Sequence, residues 1–93
     1  EAMKTVKTNP NVIRRNVAGE DILIPVGDSA LEHNGLFVLT PTGAEIWDAL
    51  VEGKSIEEIV ADMTRAYDVD ADTLREDVLG LIEKLAKLGL VTE

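Results

Sequence analysis

The sequence predicts an α+β domain, in which a three-stranded antiparallel sheet is followed by three helices. The first observation is size: 93 residues, 45% of them apolar, suffice for one core and leave no room for a second. The second is a series of β-branched runs that ends near residue 40. The third is a change of apolar period at that point, from about 2 to about 3.6.

Residues 1–11, with Lys4, Lys7, Asn9, Pro10 and Asn11 and little apolar content, read as a mobile N-terminal arm, with Met3 as the natural start. A single domain then occupies residues 12–91. Its first strand is Val12 to Val17, stopping at Ala18-Gly19. The second, Ile22 to Val26, sets Ile22, Ile24 and Val26 on one face, and Gly19-Glu20-Asp21 reads as the tight hairpin connection before it. Pro25 belongs near the strand end, because it cannot donate a ladder hydrogen bond. Gly27-Asp28-Ser29 breaks the run, and a polar loop from Ala30 to Gly35 carries His33. Leu36-Phe37-Val38-Leu39 is a third, wholly apolar strand.

The first helix opens at either of two caps: Thr40 with Pro41 at the first helical position, or Thr42 with Glu45 as its capping-box partner. Ile46, Trp47, Leu50 and Val51 form its buried side, and Gly53 ends it. Ser55 and Glu58 form the capping box of the second helix, whose buried face is Ile56, Ile59, Val60, Met63 and Tyr67. Asp70 or Asp72 caps the third. Leu74, Val78, Leu81, Ile82, Leu85 and Leu88 are its apolar stripe, Gly89 its left-handed terminator, and Leu90 folds back on Leu85. Two short capped helices before a longer one suggest a helix-turn-helix with the strands as its wing, so the fold expected is a winged helix-turn-helix. The aromatic residues Phe37, Trp47 and Tyr67 read as core.

Composition excludes several function classes. With 18 acidic and 9 basic side chains the net charge is −9, the wrong sign for a general binder of nucleic acid or anionic membrane. There is no Cys, hence no disulfide, thiolate metal site or thiol nucleophile. No apolar run is long enough to span a bilayer and no signal peptide is evident, which makes a cytoplasmic setting the default. His33 has no evident catalytic partner. Asp68-x-Asp70-x-Asp72 resembles the start of a calcium loop, but Thr73 and Leu79 stand where Gly and Glu are required, so these aspartates read as helix caps. No catalytic residue, metal or cofactor is expected, and the chain is not expected to be an enzyme.

Leu39-Thr40-Pro41-Thr42-Gly43-Ala44-Glu45-Ile46-Trp47 resembles the Leu-Asn-x-Thr-Gly-x-x-Ile-Trp signature of PqqD-like proteins. Gly53-Lys54-Ser55-Ile56-Glu57-Glu58-Ile59 is similar to their Gly-x-Thr-x-Glu-Glu-Ile helix start. Tyr67-Asp68-Val69-Asp70, Asp77-Val78 and the ending Leu88-Gly89-Leu90-Val91 follow in the same order, so the resemblance covers roughly residues 10–91. Thr40 departs from the usual Asn, and both residues cap helices. The resemblance implies a recognition element for ribosomally synthesised, post-translationally modified peptides. Such an element has a winged helix-turn-helix fold and takes up the precursor's leader segment as an added strand between the third strand and the third helix. It then presents that segment to a modifying enzyme, often a radical S-adenosylmethionine enzyme.

Strand addition needs an open sheet edge, and natural edges are normally guarded by charge or proline. Gly35 to Thr40 holds neither, so the backbone of Leu36, Phe37, Val38, Leu39 and Thr40 is the expected pairing edge. On a helical wheel of about 100° per residue, Leu79 and Ala86 fall to one side of the main stripe and join Ile82 and Arg75. These four are the expected peptide contacts on the last helix, since the opposite flank, Asp77 and Lys84, is charged; the alternative is that the first helix packs against this flank. Residues 48–93 carry 12 acidic and 5 basic side chains against 6 and 4 in residues 1–47, so such a groove would favour a basic partner surface.

Two alternatives share this architecture. A DNA-binding or transcription-regulatory winged helix would need Arg, Lys, Asn or Gln on its recognition helix. Residues 55–68 instead carry four acidic residues against Arg65, and residues 70–88 five against Arg75, Lys84 and Lys87. The other alternative is a homodimer formed through the same strand edge.

Overall fold

The computed structural model describes residues 5–26 and 37–92. In chain order the elements are β1 (Lys7–Thr8), β2 (Val12–Val17), β3 (Glu20–Pro25), β4 (Phe37–Leu39), α1 (Pro41–Val51), α2 (Ile56–Ala66), α3 (Ala71–Lys87) and β5 (Val91–Thr92). β2, β3 and β4 form the expected antiparallel sheet in that order, and β1 pairs with β5 in a second, small one. The α+β winged helix-turn-helix expected from the sequence is the fold observed.

β2 and β3 meet at a two-residue turn in which Ala18 and Gly19 take φ of 53° and 85°. Two consecutive positive φ values match the right-handed twist of the flanking strands. The ladder therefore closes at Val17 opposite Glu20, and β3 begins two residues before the expected Ile22. Register also decides the faces. Leu23, not Ile22 or Ile24, is fully buried, and it shares its face with Val12 and Leu39. Pro25 ends β3, opposite Val12, as its missing donor requires.

Each helix is closed by its own local chemistry. Thr40 Oγ1 accepts from the Gly43 N–H at 3.0 Å, with Pro41 at the first helical position, so the first of the two expected caps is the one used. Ser55 Oγ accepts from the Glu58 N–H at 3.1 Å while Glu58 Oε1 accepts from the Ser55 N–H at 3.0 Å, completing the capping box. Asp70 accepts from the N–H groups of Asp72 and Thr73 at 3.1 and 3.2 Å. At the far end of α3, Gly89 has φ 75°, its N–H donates to Ala86 O at 3.0 Å, and that of Leu90 donates to Leu85 O at 2.9 Å. That is the Schellman pattern.

The core lies between the sheet and the helices. Leu23 and Leu39 pack with Ile46, Trp47 and Leu50 of α1, Ile59 and Val60 of α2, and Val78, Ile82 and Leu85 of α3. Tyr67 departs from the expected core position: it is 42% exposed, and its hydroxyl donates to the Glu45 carboxylate, tying the end of α2 to α1.

The largest difference from expectation is at the N-terminus. Residues 5–9, expected to belong to a mobile arm, are held in place. Val6 is only 3% exposed and part of the core. Lys7 and Thr8 pair with Thr92 and Val91, Thr5 bridges to Ser55, and Asn9 Nδ2 donates to Gly89 O at 3.0 Å. One buried valine between two short pairings outweighs the polar composition around it.

Candidate functional site

β4 forms one margin of the main sheet. Its residues Phe37, Val38 and Leu39 face Leu23, Ile22 and Asp21 of β3, and no described residue pairs with its other side. In an antiparallel ladder alternate residues direct N–H and C=O away from the neighbour, so that free side presents unmet donors and acceptors. The strand is held from beneath. Leu39 is buried and Phe37 packs on the core, while Val38 points to the outer face and is 53% exposed.

Beside this margin runs a groove of about 500 Å³. One wall is β4 with Thr40, and Thr42, Gly43 and Ile46 of α1 line it further. The opposite wall is α3, through Glu76, Asp77, Gly80, Leu81 and Lys84. Thr40 links β4 to α1 by capping that helix, and Gly43 lets the cap close tightly. A Cβ on Gly43 would stand 3.2 Å from Thr40 Oγ1 and 3.4 Å from the Leu39 side chain.

The expected strand half of the site, Phe37 to Thr40, lines this groove, and Leu36 lies outside the described residues. The expected helix half does not line it. Arg75 pairs with Glu57 of α2, and that hydrogen bond holds the Glu57 carboxyl below its ordinary range and raises the Arg75 guanidinium. Ile82 is 2% exposed and belongs to the core. Ala86 packs half-buried against the same core, and Leu79 is exposed away from the groove. Of the expected flank, then, Arg75 meets α2, Ile82 and Ala86 meet the core and Leu79 faces solvent, whereas the flank with Asp77 and Lys84 lines the groove opposite β4. Gly80 is the signal that could have marked this face, since glycine inside a helix costs stability and calls for a reason.

Among the described residues no group of His, Asp or Glu could hold a metal ion. His33 and its loop lie outside the described residues. Asp70, from the Asp68-x-Asp70-x-Asp72 run, is engaged in capping α3. Among the described residues no helix is long and apolar enough to cross a membrane. An open backbone edge beside a groove that is apolar in the middle and charged at its ends suits an extended peptide.

Residues 29–91 match the model of the PqqD family, described as coenzyme PQQ synthesis protein D. Among solved structures the chain is similar to TbiB1, determined in complex with the TbiA(beta) leader peptide. Identity is 29%, coverage is 91% of this chain and 93% of that one, and the TM-score is 0.77. A second similar structure is lasso peptide synthetase B1 complexed with the leader peptide. At 20% identity, with 97% of this chain and 100% of that chain covered and a TM-score of 0.81, it shows the same fold. No curated protein matches the chain.

Proposed function

The chain belongs to the PqqD family of coenzyme PQQ synthesis protein D, and on that premise we propose that it binds the leader segment of a ribosomally synthesised precursor peptide and presents it to a modifying enzyme. The observation that carries this reading is the uncharged margin of β4, open beside the groove. An extended segment entering there becomes the next strand of the sheet, hydrogen-bonding to the backbone of Phe37 to Thr40 while its groove-facing side chains meet α3. The similar structure TbiB1 was determined with a leader peptide, which supports the same class of ligand here. The modifying enzyme is taken to be of the radical S-adenosylmethionine class, on the family resemblance alone, and the chain itself is assigned no catalysis.

The test uses the isotopically labelled chain and synthetic peptides spanning the N-terminal halves of the short open reading frames found around its gene. Amide hydrogen exchange is followed with and without the peptide. Outward-facing amides of Phe37 to Leu39 should exchange quickly in the free protein and slow at least about tenfold on binding, because the added strand satisfies them. Amides of β2 should not change. Peptide binding without protection on β4, or protection that appears without peptide because two chains pair, overturns the reading.

A further inference from the structure

Gly80 lies well inside α3, where glycine weakens a helix relative to alanine. Two internal reasons for a helical glycine are absent. Its φ is not among the positive ones, and a Cβ placed on it would meet nothing within 4 Å. No neighbour in the described chain therefore needs the residue to be small. What it does provide is an uncovered stretch of helix backbone on the wall of the groove, beside Leu81 and facing β4.

Gly80 also stands midway in a stripe. Glu76, Gly80 and Lys84 are four residues apart, one above the other on the same helix face, at steps of about 6 Å. In an extended strand the side chains that share a face recur every 6.6 Å or about that. Steps this similar let alternate side chains of a strand lying in the groove fall opposite the three positions in turn. The two ends of the stripe carry opposite charges. Among the described residues neither Glu76 nor Lys84 forms an ion pair, and Asp77 reinforces the acidic end.

We infer that the bound segment is selected by an alternating pattern: a large apolar side chain seated on the bare backbone at Gly80, a Lys or Arg two residues to one side facing Glu76, and an Asp or Glu two residues to the other facing Lys84. This rests on the leader-binding reading and goes beyond it by naming what the leader must carry. The central contact supplies apolar burial that a Cβ at residue 80 would obstruct, and the two charges fix the direction in which the strand lies.

The experiment selects displayed random peptides against the full chain and against Gly80→Ala and Gly80→Leu, with melting curves for all three. The wild type should enrich peptides with a large apolar residue flanked at two positions' distance by opposite charges. Gly80→Leu should bind those same peptides about tenfold or more weakly while remaining folded, and Gly80→Ala should melt about 4–8 °C higher. Enriched peptides that protect β4 amides but lack the pattern overturn the inference and leave leader binding standing. So does undiminished binding by Gly80→Leu, or a lower melting temperature for Gly80→Ala. If the enriched peptides leave β4 amides unprotected, or none is enriched, strand addition itself fails and the inference falls with it.

Discussion

At one margin of the main sheet β2 carries Arg14 and Arg15, while at the other β4 carries Phe37, Val38 and Leu39 and no charge. Arg14 is also pinned. It pairs with Asp21 of β3 at 3.2 Å and reaches Asp48 of α1 at 3.1 Å. Side-chain charge of this kind is how sheets keep foreign strands from adding to them. The same sheet thus protects one margin and leaves the other bare, and the bare one is the margin with a groove beside it. A margin can be assigned to a partner by what guards it, before any ligand is known.

The largest expected effect concerns how the bare margin is held. β4 is only three residues long, and its fixed point is the buried Leu39. Leu39→Ala should cost about 2–5 kcal/mol in urea unfolding. Ile13→Ala, on the half-exposed outer face of β2, should cost no more than about 1 kcal/mol. Equal losses would mean that the two margins do not differ in anchoring. Next comes the guard itself. Arg14→Met should lower stability by about 0.2–1 kcal/mol, and raising the salt concentration should shrink the difference, since both of its ion pairs are partly exposed.

The smallest effect is at the far side of the groove wall, where Arg75 joins α3 to α2 through Glu57. The Arg75 hydrogen bond lowers the Glu57 pKa in the folded state. Its contribution is therefore present above the ordinary carboxylate pKa and is lost as pH falls through the lowered folded value. The melting temperature of the wild type should exceed that of Glu57→Gln near neutrality, and the two should converge in acid. A gap that persists at low pH would rule out the carboxylate as its source.

How much of this was legible in the sequence follows from the range of each interaction. The caps at Thr40, Ser55, Asp70 and Gly89 involve partners within a few residues, so spacing alone locates them. The unguarded strand was visible for the same reason, since absence of charge is a local property. The hairpin was displaced because Ala18 adopts a positive φ, which an alanine does not advertise. The β1–β5 pairing joins residues more than 80 positions apart through strands of two residues each, and no periodicity exists over so short a run. The α3 residues expected beside the strand lie off the groove for a different reason. A hydrophobic wheel identifies which flank of α3 is apolar, but which neighbour that flank meets is decided by tertiary packing, and the burial of Ile82 and Ala86 answers that only in the folded chain.

Because Lys7 lies directly across from Thr92, the polypeptide enters and leaves the folded unit at neighbouring points, separated by about 5 Å in the hydrogen-bonding direction. Tension applied at the two ends would first release the Thr5–Ser55 bridge and Val6, and would then open the β1–β5 pair one rung at a time, like a zip, before it disturbed β4. The same proximity means that a host protein could accept the whole unit within one of its surface turns without opening its own framework.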